Sequence, residues 1–374
     1  MIENISKMQC TGCKMCGDLC PEKAISFQED KEGFYYPKVD SKRCSLCGIC
    51  VEKCVGISAY SSNRYKLPEV YAAWLKDIKM RRYSTSGGVY YALAKKIFDE
   101  DGSIVACRFT KDLKHAEHIV VENEDMLLDT VTSKYFQSDT AGIYQKVKAL
   151  LERGKRVLFC GTPCQSVALQ KFLTKEYRNL ITMDFICRGI NSPKAYGMFI
   201  KELEEKYQSA VKSVHFKHKK EGWKSLGILV KFENGLEHFE TKDNSYWTMG
   251  YIRDNLYMRP VCHECQYRKI PRCSDFTVGD FWGIQNVNEK EMFNGISVLF
   301  ANSDFAKSFI CELDNIELEK RTLEEALGGN PCILSSPQKG KQRGKFFELL
   351  NEVSFSKAVE QCCGDYNQND AETI

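Results

Sequence analysis

The chain has 374 residues, 43% of them hydrophobic and 28% charged, with a formal net charge of +3. That length suggests two or three domains with a buried core, and so small a charge argues against a nucleic-acid binder or a polybasic membrane protein. The start, MIENISKMQC, has no apolar stretch or cleavage site, so no signal peptide is expected, and no run of about eighteen apolar residues is present to span a membrane. The outlying number is 19 cysteines. Without a secretion signal they point to metal binding in the cytoplasm rather than to a disulfide framework.

Cys10, Cys13, Cys16 and Cys20 come first, followed by Pro21, in the spacing C-x2-C-x2-C-x3-C-P. Cys44, Cys47, Cys50 and Cys54 repeat that spacing, with Val55 in place of the proline. Three cysteines at two-residue gaps let a tight loop present three thiolates to one cubane. The fourth begins a helix that points away and ligates the other cluster. The expected sets are therefore Cys10, Cys13, Cys16 and Cys54 for one [4Fe–4S] cluster, and Cys44, Cys47, Cys50 and Cys20 for the second. Zinc, which takes four ligands from two separated pairs, fits two identical quartets poorly. The pattern resembles the two-cluster bacterial ferredoxin domain. Between the quartets, 27–39 alternates aromatics around a Glu-Gly turn and reads as a hairpin.

Residues 60–69 are polar and read as a linker. Strands then alternate with helices. Strands are expected at 70–75, 104–109, 119–122, 156–160 and 180–187. Helices are expected from a Ser84 or Thr85 cap to about 98, and at 141–153, 163–173 and 193–207. This alternation indicates an α/β core with some parallel strands. Strands at 214–217 and 226–232 follow, with a hairpin turn at Asn234-Gly235, then a late strand at 296–301 and a helix at 305–313. His215 and His218 with Lys217, Lys219 and Lys220 read as a solvated charged face. Residues 338–345 read as a basic linker before a helix at 345–353, and the last dozen residues are polar.

Four stretches carry further chemistry. Ser84-Thr85-Ser86-Gly87-Gly88-Val89 opens a helix whose free N–H groups suit a phosphate, or else is a tight strand-to-helix turn. Gly161-Thr162-Pro163-Cys164-Gln165 sets a cysteine at a helix N-terminus, where a thiolate is stabilised; a buried packing cysteine is the plain alternative. Ile186-Cys187-Arg188-Gly189 lies at a strand's C-terminal end, where ligand crevices form. Cys262-x2-Cys265 needs two more thiolates, with Cys164, Cys187 and Cys273 as candidates. Together four of these would hold a third [4Fe–4S] cluster, unless the pair is a plain dithiol or a zinc half-site.

The SGGV, SKYFQS, GTPCQ and CRGINSP stretches and C-x2-C…R-x-SD-x-TVGDFWG follow in order from about residue 70 to 300. In that order they resemble the beta subunit of coenzyme F420-reducing hydrogenases and related dehydrogenases. With the ferredoxin repeat the resemblance covers roughly four-fifths of the chain. It implies FAD and at least one [4Fe–4S] cluster in the α/β portion. By position, Ser86, Gly87 and Gly88 would lie near the flavin phosphates, and Ser133, Lys134, Tyr135, Gln137 and Ser138 would line the flavin region. Cys164, Cys187, Cys262 and Cys265 would hold the third cluster, which demotes Cys273. Asp275, Asp280 and Trp282 would shape the site. Two departures stand out: the N-terminal two-cluster module, and Arg188 where relatives often carry histidine.

The expected fold class is α+β, with a 2×[4Fe–4S] ferredoxin-type domain at 1–60 before a mixed α/β flavin-binding domain. That second domain has an N-terminal part at 69–150 and a C-terminal part at 151–330, followed by a basic linker and helical tail at 331–374. The expected function is an iron–sulfur flavoprotein oxidoreductase. It would pass electrons from a one-electron donor, such as a ferredoxin or a partner subunit, through the clusters to FAD and on to an organic substrate. Longer members of this build occur in surface-polysaccharide biosynthesis, which makes a small or lipid-linked substrate the expectation. The alternative is an electron-transfer subunit without a substrate of its own. A radical enzyme would need a CxxxCxxC triad, which is absent. No catalytic residue stands out.

Overall fold

The computed structural model describes residues 1–363. The expectation for the polar end of the chain falls on residues 364–374 and lies outside them. In the N-terminal module, α1 (Met15–Leu19) and α2 (Ile49–Glu52) follow the cysteine loops, and β1 (Ile25–Glu29) and β2 (Tyr35–Val39) form the expected hairpin. Gly33 supplies the turn with φ 86°, a left-handed conformation that side chains other than glycine's disfavour.

The body is built on β3 (Glu69–Leu75), β4 (Ser103–Phe109), β5 (Ala116–Val121), β6 (Ser138–Asp139), β7 (Val157–Cys160) and β8 (Leu180–Phe185). A separate antiparallel sheet holds β9 (Val211–His218), β10 (Gly227–Phe232) and β11 (Glu237–Thr241). The chain then returns through β12 (Phe276–Asp280), β13 (Ser297–Ala301) and β14 (Ile316–Arg321). Nine strands form one mixed sheet in the order β14-β3-β13-β12-β8-β7-β4-β5-β6. Its centre is parallel, from β12 through β8 and β7 to β4, and the β14-β3-β13-β12 side is antiparallel. Parallel strands buried on both faces read as apolar runs, and Val157, Leu158 and Phe159 on β7 are fully buried.

Five helices matter to the site: α3 (Ile78–Tyr83), α4 (Val89–Asp99), α5 (Glu124–Thr130), α6 (Ile143–Glu152) and α7 (Pro163–Leu173). Helix α8 (Pro193–Tyr207) packs between the two sheets through Tyr196, Phe199 and Ile200. One correction concerns the first of these. Ser84 and Thr85 do not cap a helix: Ser84 ends α3, its hydroxyl bonded to the Met80 carbonyl, and α4 begins only after Gly88.

The N-terminal module is sewn into the body rather than tethered to it. Met15 and Val55 share an apolar core with α6 and α7, and Phe34 of the hairpin lies in the core around α8. The stretch expected as a linker is pinned along its length. Tyr60 donates to Gln170 at 3.1 Å, Ser62 donates to the Arg272 carbonyl, and Arg64 pairs with Asp275 at 3.2 Å. The basic stretch near 340 is not a plain linker either, since buried Arg343 forks onto Glu32 at 2.8 and 2.6 Å.

Helix α6 has no cap of its own because its N-cap is Gly142. Asp18, from α1, does the capping across the interface, accepting from the Gly142 amide at 2.7 Å and the Tyr144 amide at 3.1 Å. Asp18→Ala should therefore lower unfolding stability by about 2 kcal/mol, the scale for losing a hydrogen-bonded charged acceptor. Denaturant unfolding of the loaded chain checks this, and limited proteolysis should release the N-terminal module faster.

Candidate functional site

Cys10, Cys13, Cys16 and Cys54 line one cavity, walled by Ile2, Ile5, Met15, Phe27, Pro37 and Val55. Burial pushes the Cys13 thiol up to about 12 and the Cys16 thiol well above its ordinary value, with Cys10 and Cys54 adding to both shifts. Neutral thiols are what such a lining favours; cationic iron reverses that preference by coordinating the thiolate. Cys50 adds to the shift at Cys16, so the second quartet stands close by. That quartet faces outward. Cys47 is exposed, Leu46 beside it is 74% exposed, and Cys20 ends α1, which packs against α2.

The body brings together Cys164 from the start of α7, Cys187 from the loop after β8, and Cys262 and Cys265 from a 3-10 turn at Pro260–Glu264. Thr162 caps α7 in a reciprocal box with Gln165, and Pro163 occupies the first turn, which holds Cys164 at the helix mouth. Burial raises Cys164 well above its ordinary value, with Cys265 next and Cys187 and Cys13 behind it. Burial likewise takes Cys187 to about 12 and Cys262 to about 11. At Cys164 burial outweighs the stabilisation expected from the α7 N-terminus. Among the described residues no three His, Cys, Asp or Glu side chains converge to hold a single ion.

Cys273 is turned elsewhere, its thiol 3.0 Å from the carboxylate of Asp184, which also pairs with Arg272 at 2.9 Å. Two aromatic side chains stand between the first cavity and the Cys164 group. Tyr267 donates to the Val55 carbonyl at 2.6 Å, and thiols from both groups, Cys164 and Cys13, act on its hydroxyl. Tyr144 donates to the Cys13 carbonyl at 2.8 Å and also feels Cys164.

The residues expected around a flavin divide. Ser133, Lys134 and Tyr135 are half-buried; the Ser133 hydroxyl bonds that of Thr85 at 2.9 Å, and Lys134 donates to the Asp129 and Thr132 carbonyls at 2.7 Å each. Cys107 and Cys160, left without a role in the sequence, act on Lys134, and burial draws its ammonium down to about 8. Lys217 lies 5.5 Å from the Tyr135 ring and 5.8 Å from that of Trp282, and pairs with Asp280. Trp282 stacks on Trp223 at 4.7 Å, and Trp223 donates to Asp280 at 2.8 Å. Tyr251, 5.7 Å from Tyr135, also feels Cys187.

The other residues are committed to packing or bonding. The Ser86 hydroxyl donates to the Ile296 carbonyl at 2.8 Å, and the Gly87 amide donates to Ser297 at 2.9 Å, so the Gly87 N–H is not free. Gly88 takes φ 88° against the Leu75 side chain. Gln137 donates to the Gly12 carbonyl at 2.9 Å and accepts from Arg259 at 2.6 Å, which ties it to the first cysteine loop. Ser138 bridges His118 at 3.1 Å and Gln165 at 3.0 Å. Asp275 accepts from the Thr182 amide and hydroxyl and serves the sheet.

The solvated charged face expected around His215 is also corrected. Lys219 is 1% exposed and donates to the Arg81 carbonyl at 2.6 Å and that of Asn294 at 2.9 Å. His215 and His218 pack edge to face at 4.9 Å, each with a buried ring nitrogen lacking a partner. Only Lys220 is exposed.

Gly87→Ala separates packing from ligand binding. The new Cβ would strike the Ala73 carbonyl and lie 2.7 Å from the Ser297 amide, both backbone groups that cannot yield. Thermal unfolding should show a loss of about 3 kcal/mol, and the loss should be the same whether or not flavin is added.

Residues 154–326 match the family model for the C terminus of the coenzyme F420 hydrogenase/dehydrogenase beta subunit, and residues 9–55 match the 4Fe-4S dicluster domain. NADH-quinone oxidoreductase subunit I of Pelobacter propionicus is 39% identical over 56 residues, 13% of this chain and 30% of that protein. An uncharacterized protein of Methanocaldococcus jannaschii is 22% identical over 201 residues, 45% of this chain and 54% of the other. The chain thus spans only about a third to a half of these relatives. A chain in the structure of the F420-reducing [NiFe] hydrogenase complex from Methanosarcina barkeri aligns with a TM-score of 0.49 at 16% identity, covering 84% of this chain and 95% of that one. Behind a stretch that matches the 4Fe-4S dicluster domain, the chain is thus similar, over residues 154–326, to the C terminus of the coenzyme F420 hydrogenase/dehydrogenase beta subunit.

Proposed function

We propose that this chain is a three-cluster iron–sulfur flavoprotein that carries single electrons inward from a one-electron donor to FAD and on to an organic substrate. The observation that carries this reading is the adjacency of two groups of four thiols, Cys10, Cys13, Cys16 and Cys54 on one side and Cys164, Cys187, Cys262 and Cys265 on the other, with Tyr267 and Tyr144 between them. In this reading the outer cluster rests on Cys20, Cys44, Cys47 and Cys50. When bound, the clusters supply one-electron transfer and the flavin pairs electrons for hydride chemistry.

The residues divide the work. The Leu46–Cys47 surface offers a donor its contact, and the apolar wall of the first cavity excludes water from the inner thiolates. In this reading Ser133, Lys134 and Tyr135 offer a flavin a hydroxyl, a charged amine and an aromatic face, and His215 has a buried ring nitrogen without a partner. The side chains of Ser86, Gln137 and Ser138 and the Gly87 amide are bonded within the protein, which leaves Ser133, Lys134 and Tyr135 as the flavin set of this reading. The acceptor in this reading is a small or lipid-linked molecule, in keeping with the surface-polysaccharide setting of the longer build. All nineteen cysteines are unpaired, as suits a reducing cytoplasm, and among the described residues no helix is long and apolar enough to cross a membrane.

Anaerobic purification tests the reading. The chain should hold about twelve irons, and Cys262→Ser about eight, with four irons per cubane. One flavin per chain is expected; twelve irons without flavin would favour an electron relay to a partner enzyme. Lys134 gives a pH signature. Its charge is present below about 8 and is lost as pH rises through that value. FAD affinity, measured by fluorescence quenching, should fall over that interval, and Lys134→Met should bind weakly at every pH.

A further inference from the structure

Five arginines among the described residues are buried: Arg81, Arg259, Arg268, Arg272 and Arg343. Burying a guanidinium requires a compensating anion. Three have a carboxylate: Arg81 pairs with Glu291, Arg272 with Asp184 at 2.9 Å, and Arg343 with Glu32 at 2.6 Å. Among the described residues Arg259 and Arg268 have none. These two are also the pair that stands beside the inner cysteine groups.

Arg259 is 0% exposed. It donates to the Cys10 carbonyl at 2.7 Å, to Gln137 at 2.6 Å, to the Tyr35 carbonyl at 3.0 Å and to the Cys10 sulfur at 3.4 Å, and it lies over the rings of Tyr36 at 4.4 Å and Phe34 at 5.3 Å. Gly12 makes room for it, since a Cβ there would lie 2.7 Å from Nη1. Arg268 donates to the carbonyls of Ser335 and Arg188, and its Nε is buried without a partner. The groups of opposite sign that face it are the sulfurs of Cys187, Cys332, Cys265 and Cys262. In sequence the two arginines flank one motif evenly, three residues before Cys262 and three after Cys265. Of the other cations near the first cavity, Lys14 pairs with Asp139 at 2.8 Å, and Lys171 bonds the Ser58 hydroxyl near Cys54.

We propose that Arg259 and Arg268 are potential-setting residues, each placing one otherwise unpaired positive charge against one of the two interior clusters. The inference rests on the three-cluster reading above. A four-thiolate cluster gains negative charge on reduction, and burial alone disfavours that charge. The two guanidiniums oppose the burial term, and Arg259 adds a hydrogen bond to a ligand sulfur. The outer quartet, open to water, has no such residue and needs none. The arginines thereby keep the interior sites able to accept an electron from the outer one. One electron leaves a one-electron donor and passes inward, each oxidation is matched by one reduction, and no bond or proton changes hands.

EPR-monitored redox titration of the anaerobically loaded full chain tests this, with iron measured on each sample. Arg259→Gln should lower the midpoint potential of one interior cluster and Arg268→Gln that of the other, while the lysine variants restore most of the shift. The outer cluster, recognised by the signal lost in Cys47→Ser, should not move. Unshifted potentials in glutamine variants that keep full iron would overturn the proposal, as would lysine variants shifted as far as glutamine. About eight irons in the unaltered chain would instead remove the third cluster, a separate failure of the underlying reading. Arg259 also joins the N-terminal module to the body, so its glutamine variant is at risk of losing iron. In that event Arg268→Gln decides, because its guanidinium touches nothing in the module.

Discussion

Arg259 reaches from the body of the molecule into the first cysteine loop, and the architecture is organised around that docking. Its guanidinium holds the Cys10 carbonyl, the Tyr35 carbonyl and Gln137 at once. Three residues later the same segment supplies Cys262. One stretch of backbone therefore positions the first cavity and the Cys164–Cys187–Cys262–Cys265 group together. Asp18 and Tyr144 reinforce the same interface from the opposite side. The separation between the two thiol groups is therefore set by buried hydrogen bonds rather than by a flexible tether.

The parts of this molecule that sequence made legible are those governed by local rules. The duplicated cysteine spacing, the Asn234-Gly235 hairpin and the Pro163 and Pro193 helix starts each follow from geometry within a few residues. The boundaries of α8 lie where the sequence pattern places them because Ser192 caps its first turn and Gln208 takes the left-handed conformation at its end. The order of nine strands was not legible, because β3 pairs with β13 and β14 from more than two hundred residues away. No periodicity encodes that partnership.

The candidate site shows the same division. Cys164, Cys187 and Cys262-x2-Cys265 carried a visible chemical signal. The residues around them did not, since an arginine or tyrosine in a loop has many ordinary roles. Tyr267 and Arg268 gain their meaning only from which thiols they face. Errors fell where composition was taken for exposure: a lysine- and histidine-rich strand end read as solvated, yet Lys219 is enclosed by backbone carbonyls of α3 and of the segment before β13. Gly87 and Gly88 misled for a related reason. Small residues permit a close approach, and here what approaches is the protein's own sheet.

The outward set of the second quartet has a consequence for damage in air. Cys47 stands in solvent with Leu46 projecting beside it, whereas the first quartet lies behind an apolar wall. Dissolved oxygen meets the outer iron first. If electrons enter as proposed, a brief aerobic lapse would strip that cluster before the buried one, leaving a molecule that is folded and still coloured but cut off from its supply of reducing equivalents.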